Sequence, residues 1–412
     1  MDLSDSSLRR FGLDRVRRWW TLAGLGWGIT LLVLLGGICK NPTRTLGFGP
    51  YWRAANNWLI GKDLYIYVAN KGFVYSPFAA VNLTPLTLFP LPVANAVWKI
   101  VGAVFLLAGL WCVMKVGPFS RIPARLKGLV CLLSLPLSLS NLDTGQANAL
   151  VIGFVLLGVA AAYTERWMWA ALAIALATHW KIYPAAVGML LMLMAPWKFG
   201  WRFVFMLVLL GLVPFLFQKH TYVSGQYALW VDTRMADNRL EYKIEDAPLD
   251  FWFITVRMMS LPLSQTAYKV LQLGVAGGIA LFCLYGRWRQ WERERIFGGM
   301  LCLVCGWMLL FGPASEWLTY ILLAPLVALA LVECFQRPIG KVTRAMVAIA
   351  YALLLLAAMR NAFSPHWAPA LALSMQPLAA AFFMIYALMR YGRSWPAPPV
   401  EADDESAMIR GA

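Results

Sequence analysis

Phe73-Val-Tyr-Ser-Pro-Phe-Ala-Ala-Val-Asn-Leu-Thr-Pro-Leu-Thr-Leu-Phe-Pro-Leu-Pro92 decides how this chain is threaded. The stretch is long and apolar enough for a bilayer span, which takes about 20 residues. Pro77, Pro85, Pro90 and Pro92 interrupt it, however. Read as a span, it puts Arg121, Arg125 and Lys127 outside and inverts every later loop. Read as a helix lying in the outer interface, it leaves them inside, with Arg287, Arg289, Arg293, Arg295, Arg337, Lys341, Arg344, Arg390 and Arg393. Roughly 22 of the 36 basic residues then face the cytoplasm, nearly all in short loops, where positive charge fixes orientation. The interfacial reading is adopted.

The rest of the composition fits that threading. Apolar residues make up 60% of the 412, and charged residues 14%. A soluble domain runs nearer 45–50% and about 25%. The chain is therefore an all-α polytopic membrane protein, because in hydrocarbon each span must close its own backbone hydrogen bonds. Twelve spans are expected, at about 19–38, 94–114, 127–141, 146–164, 167–180, 183–197, 201–217, 264–286, 296–312, 316–334, 343–359 and 367–389. The N-terminal Arg9, Arg10, Arg15, Arg17 and Arg18 precede a run too long for a signal-peptide core, so the first helix is read as uncleaved. Both termini fall in the cytoplasm, and residues 1–393 form one membrane domain. Outer loop one (about 39–93) carries interfacial helices near Tyr51–Ile60 and Phe78–Phe89. Outer loop two runs over about 218–263. The tail 394–412, with three prolines and then acids, reads as disordered.

Several function classes drop out. The net charge of +16 is spread one short loop at a time rather than in a stripe, which argues against nucleic acid. The seven cysteines lie in or beside apolar runs, and Cys302-x-x-Cys305 has no second pair and no histidine near it, so packing is the reading. No HExxH, P-loop, GxGxxG or GxSxG occurs, and neither a metal nor a cofactor is expected.

The polar residues gather instead in alternate gaps between apolar runs, on the outer side. Tyr51, Trp52 and Trp58 suit an interfacial helix. Asp63 is the only carboxylate of loop one, beside Gly61 and Tyr65; a solvated loop acid and a functional one both fit. Asp143 or Thr144 can cap the helix that follows, but Gln146 and Asn148 enter an apolar run, where unpaired amides are costly. Lys181, between His179 and Tyr183, either snorkels or meets a lipid phosphate. Glu316 opens a helix at its positive end, and Tyr320, four residues on, shares its face. Loop two mixes Asp232, Asp237, Glu241, Glu245, Asp246 and Asp250 with Arg234, Arg239, Lys243 and Arg257 among aromatics, a solvated surface or a sugar-binding one.

With these residues in view, the chain resembles glycosyltransferase family 87, a mannosyltransferase-like group of the GT-C class. The resemblance rests on Tyr51-Trp-Arg-Ala54-Ala55 with Gly61 to Tyr65, on Phe73-x-Tyr75-x-Pro77 with Pro85-Leu86, on Gly145-Gln146-x-Asn148, on Lys181-x-x-Pro184 and on Ser315 to Tyr320. It implies a GT-C-like bundle that moves a sugar, mannose foremost, from a polyprenyl-phosphate donor to a lipid-linked or cell-envelope glycan on the outer face of the plasma membrane. It implies a base from the first outer loop, and cations or amides at the donor phosphate. The family's aspartate falls at Gly47 here, so Asp63 is taken as base, with Asp143 and Glu316 as alternates. Lys181, Arg53 and His179 are assigned to the phosphate, and Tyr51, Tyr65, Tyr75, Gln146, Asn148, Tyr183 and Tyr320 to substrate. The competing readings are a transporter or lipid translocase, and a non-catalytic lipid-binding relative.

Overall fold

A computed structural model of the chain describes residues 4–42, 47–65, 72–235, 247–312, 315–363 and 369–393. The expected tail 394–412 and the loop residues Asp237, Arg239, Glu241, Lys243, Glu245 and Asp246 lie outside the described residues. Among the described residues all regular structure is helical. The α-helices are α1 (Ser4–Lys40), α2 (Gly49–Leu59), α3 (Pro77–Leu83), α4 (Leu91–Lys115), α5 (Ala124–Thr144), α6 (Asn148–Tyr163), α7 (Trp167–Trp180) and α8 (Ala185–Met194). They continue as α9 (Trp201–Leu212), α10 (His220–Met235), α11 (Gln265–Trp288), α12 (Arg293–Leu310), α13 (Ala324–Gln336), α14 (Lys341–Phe363) and α15 (Pro369–Gly392).

Seven helical stretches are long and apolar enough to cross a membrane, on α1, α4, α5, α9 with its flanking turns, α11, α14 and α15. The helices α6, α8 and α13 are shorter apolar ones. Each of the twelve expected spans falls on a helix, and the molecule is a polytopic membrane bundle.

The deciding segment is broken into short pieces. Pro77 opens α3 after an extended Ser76, Pro85 sits in the first turn of a 3₁₀ helix (Thr84–Leu88), and Pro90, with ψ 146°, hands the chain to α4. Each proline thus starts an element whose first N–H would lack a partner anyway. Seven α-helical residues rise about 10 Å, against a hydrocarbon thickness of about 30 Å. Within the segment expected to lie in the interface, every residue of α3 except Asn82 is buried, whereas Thr84–Pro90 is half-buried to exposed. The amphipathic helix is α2, which buries Tyr51, Ala54, Ala55 and Trp58 and exposes Arg53 and Leu59.

The second expected loop is likewise more ordered than its charges imply. Its first part, Gln218 with α10 after it, grips loop one: Gln218 donates to the Trp58 carbonyl (2.7 Å), and from α10 Tyr222 donates to that of Lys62 (2.7 Å) and Trp230 to that of Val74 (3.3 Å).

The helices alternate direction, so residues 47–65, 72–75, 141–148, 179–184 and 315–320 share one end of the bundle. The basic turns share the other. There Arg121 bridges Glu292 (3.2 Å) and Glu294 (2.7 Å). Arg337 joins Glu294 to Glu333 (2.9 Å each), and Arg390 reaches Glu333 at 2.6 Å. This ties α12, α13 and α15 to the turn before α5.

Backbones approach most closely where α4 meets α6. A Cβ on Gly153 would stand 2.5 Å from the Phe105 carbonyl, and one on Gly109 2.6 Å from that of Gly153. Small residues are what permit such contact between helices in lipid. Gly153→Ala is therefore expected to destabilise the bundle by about 1–3 kcal/mol through overpacking. Gly24→Ala, with nothing within 4 Å of the new methyl, should leave stability unchanged or slightly raised. Melting temperatures of the two variants in detergent check this, and equal values would remove the account.

Candidate active site at one end of the bundle

The site is built on the turn from α5 to α6. Gly145 ends α5 with φ 70°, a left-handed conformation that glycine adopts without strain. The turn is pinned from several sides. Gly47 N–H donates to the Thr144 carbonyl (2.8 Å), Trp98 Nε1 to that of Gly145 (2.8 Å), and Ala147 N–H to the Tyr51 hydroxyl (3.3 Å). Asn141, buried on the last turn of α5, accepts from Ala149 N–H (3.2 Å) and donates to the Leu318 carbonyl (3.1 Å). The costly buried amide thus bonds in both directions.

From this turn a chain of polar side chains runs outward. The Tyr183 hydroxyl donates to Asn148 Oδ1 (3.2 Å), Asn148 Nδ2 to Gln146 Oε1 (2.9 Å), and Gln146 Nε2 to Glu316 Oε2 (2.9 Å). The inner end is buried and the Glu316 end is exposed. Glu316 sits in extended backbone (ψ 159°) at the start of a 3₁₀ helix, Trp317–Leu322.

Aromatic rings wall the inner end. Tyr75 packs edge-on to Tyr51 (5.0 Å between centroids) and Trp180 (6.1 Å), and Trp98 lies 5.2 Å from Trp180. The hydroxyls of Tyr51 and Tyr75 are 2.5 Å apart. Burial raises the pKa of both, so they remain neutral hydrogen-bonding groups.

Lys181 enters beside them, its Nζ 5.9 Å from the Tyr75 ring and 5.7 Å from the Tyr183 ring. Burial holds its pKa below the usual lysine value; Glu316 offsets part of that, and Arg234 on α10 adds to it. Among the described residues no carboxylate lies within salt-bridge distance of Lys181 or Arg234, and the buried Nε of Arg234 has no hydrogen-bond partner. A lysine set against two tyrosine rings, with no carboxylate at salt-bridge distance among the described residues, makes a site suited to an anion. No group of three or more His, Cys, Asp or Glu able to hold a metal occurs among the described residues.

The structure thus brings together Tyr51, Tyr75, Gln146, Asn148, Lys181, Tyr183 and Glu316. It gives the other predicted residues different partners. Asp63 accepts from Gln226 Nε2 of α10 (2.9 Å), and its carbonyl accepts from Asn57 (2.9 Å). Asp143 pairs with the buried Lys99 of α4 (3.6 Å), which also donates to its carbonyl. Arg53 is exposed on α2. The His179 ring nitrogen Nε2 meets the Leu207 carbonyl (3.0 Å), with Phe78 against the ring (5.0 Å). Tyr65 donates to the Tyr75 carbonyl (2.8 Å) and so supports the site from behind. Tyr320 donates to the Leu249 carbonyl (2.7 Å) rather than pairing with Glu316. The expected shared face assumed an α-helix, but these residues form a 3₁₀ helix, with three residues per turn.

Sequence reading missed Arg234, Trp98, Trp180 and Asn141. Nothing local marks Arg234 among the mixed charges near it, and its electrostatic influence on Lys181 arises only when α10 folds over loop one.

With this geometry in hand, comparison with known proteins is informative. The family model described as Glycosyltransferase family 87 matches residues 73–313, more than half of the chain. That range takes in Tyr75, Gln146, Asn148, Lys181, Tyr183 and Arg234. A polyprenol-phosphate-mannose-dependent alpha-(1-2)-phosphatidylinositol pentamannoside mannosyltransferase from Mycolicibacterium smegmatis is 33% identical over 128 residues. The alignment spans 28% of this chain and 28% of that relative. On the family match and the residues within it, the chain belongs to glycosyltransferase family 87.

Proposed function

We propose that this protein transfers a hexosyl group, mannose foremost, from a polyprenyl-phosphate donor to a lipid-linked or cell-envelope acceptor. The site end of the bundle faces away from the cytoplasm of the plasma membrane, and the basic end and both termini face it, in keeping with the positive-inside rule. The observation that carries the reading is the hydrogen-bonded chain from Tyr183 to Glu316 beside the unbridged Lys181. Mannose is favoured by the mycobacterial relative, a polyprenol-phosphate-mannose-dependent mannosyltransferase.

In this reading Lys181 and Arg234 receive the donor phosphate. The amides of Asn148 and Gln146 orient sugar hydroxyls, and Trp98, Trp180 and Tyr75 offer ring faces to the sugar. Glu316 is the base in place of Asp63. It is the carboxylate joined to the polar chain, and it is exposed where an acceptor would approach. The acceptor hydroxyl gives its proton to Glu316 and its oxygen bonds to the anomeric carbon. The bond from that carbon to the phosphate oxygen breaks, and the electron pair leaves with polyprenyl phosphate. A single displacement of this kind inverts the anomeric centre. The cations act on the charge that grows on the leaving phosphate, where pre-placed charge is most effective.

The family aspartate position is closed here. A Cβ on Gly47 would stand 2.9 Å from the Thr144 carbonyl and 3.1 Å from Gln146 Cγ. Gly47→Asp is expected to destabilise the turn and lower transfer; a gain in transfer would return the base to that position.

Reconstituted full-length protein with labelled polyprenyl-phosphate mannose and a lipid-linked acceptor checks the assignment. Glu316→Gln should lower kcat by about 10²–10⁴-fold with donor KM little changed. Asp63→Asn keeps an acceptor for Gln226 and should stay within a few-fold of wild type, roughly the effect of a weakened surface hydrogen bond. The reverse order of these two would overturn Glu316 as base.

Lys181 binds phosphate in its protonated form. Because burial lowers its pKa, the ammonium is lost at a lower pH than an ordinary lysine's. Donor KM should therefore begin to rise with pH before an ordinary lysine would titrate. Lys181→Arg should abolish that rise, since a guanidinium stays charged. An unchanged KM–pH profile in this variant would remove Lys181 from the phosphate site.

A further inference from the structure

At the basic end of the bundle a cavity of about 390 Å³ opens between the α6–α7 turn, the end of α8 and the α11–α12 turn. Three cations line it, Lys198, Arg287 and Arg293, against one carboxylate, Glu165. Glu165 stands in the turn with φ 59°. It accepts from Arg293 Nη1 at 2.7 Å and from Lys198 Nζ at 3.5 Å, and the Arg293 bond holds its carboxyl below the usual range. Arg287 donates to the Met194 carbonyl at the end of α8. One acid is thus shared between two cations, a third sits on a neutral carbonyl, and the cavity carries an excess of two positive charges.

The rest of the lining is apolar, with Leu191, Ile296 and Phe297 among it, and Trp197 at the rim is 88% exposed. Leu281, Phe282, Tyr285 and Trp288 line a further apolar hollow of about 560 Å³ on α11. A free inorganic anion has no use for such walls, and a neutral lipid has no use for the charge. Excess cations, an apolar floor and an exposed tryptophan together match an anionic headgroup with acyl chains attached. The polar chain and Lys181 stand at the other ends of α6, α7 and α8, so this cavity is separate from the sugar-transfer site.

We propose that this cavity binds the headgroup phosphate of an anionic phospholipid, which staples the α8 end to the α6–α7 and α11–α12 turns. Lys198 and Arg287 supply the charge left over once Arg293 has satisfied Glu165. The lipid's acyl chains lie outward along the apolar surface of α11.

The test uses the full chain in neutral detergent, titrated with phosphatidylglycerol or phosphatidylcholine. Bound lipid is counted by native mass spectrometry, and the melting temperature is followed in parallel. Phosphatidylglycerol should bind and raise the melting temperature more than phosphatidylcholine. The double variant Lys198→Gln with Arg287→Gln should weaken phosphatidylglycerol binding about thirty-fold, as expected for two charges at a lipid surface. Should that variant not fold, Lys198→Gln alone is read against Lys198→Arg, and only the former should lose affinity. Equal responses to the two lipids would overturn the proposal. So would undiminished phosphatidylglycerol binding in the glutamine variants, or the same thermal shift from inorganic phosphate alone.

Discussion

Everything at the site end hangs on the turn at Gly145. It accepts hydrogen bonds from the loop before α2 and from α4, donates one to Tyr51 of α2, and is tied by Asn141 to the 3₁₀ helix before α13. These partners lie up to 177 positions away in sequence, so the turn is held by tertiary contacts rather than by its own helices. An apolar surrounding makes each unmade bond costly. That cost is what makes the three-residue link between α5 and α6, Gly145 to Ala147, rigid enough to aim Gln146 and Asn148 in one direction. The carboxylate and the lysine reach the same place by other routes, Glu316 from an extended residue and Lys181 from the break between α7 and α8.

The bundle itself was legible because its signals are local. Apolar runs set the helices, and prolines set the starts of α3, of the 3₁₀ helix beside it and of α4. All twelve apolar runs became helices, and the alternation of polar and basic gaps became the two ends of the molecule. Burial was harder to read. α3 is short and apolar, and every residue of it but Asn82 is buried. α10 was hidden by its polar composition; a helix that clamps loops needs hydroxyls and amides such as Tyr222 and Gln226, not an apolar stripe.

The candidate site was legible as a set of residue types and less so as roles. Gln146, Asn148, Lys181 and Tyr183 were readable because polar groups inside apolar runs are expensive to place. Asp63 attracted attention as the lone acid of its loop, but loop membership does not fix where a side chain points. Its partner Gln226 is 163 residues away, and no local spacing reveals that. Glu316 stood as an alternate base because a helix-start acid already has a sufficient structural explanation. Arg234 went unread because its environment exists only in the folded state.

The polar chain has a further consequence for turnover. Gln146 and Asn148 are carboxamides, which accept and donate hydrogen bonds but do not exchange protons along a relay as hydroxyls, imidazoles or water do. With Glu316 as the proposed base, a proton it takes up has no path inward through these amides to Tyr183. The exposed carboxyl itself then gives that proton to bulk water, at the mouth where the proposed acceptor also sits.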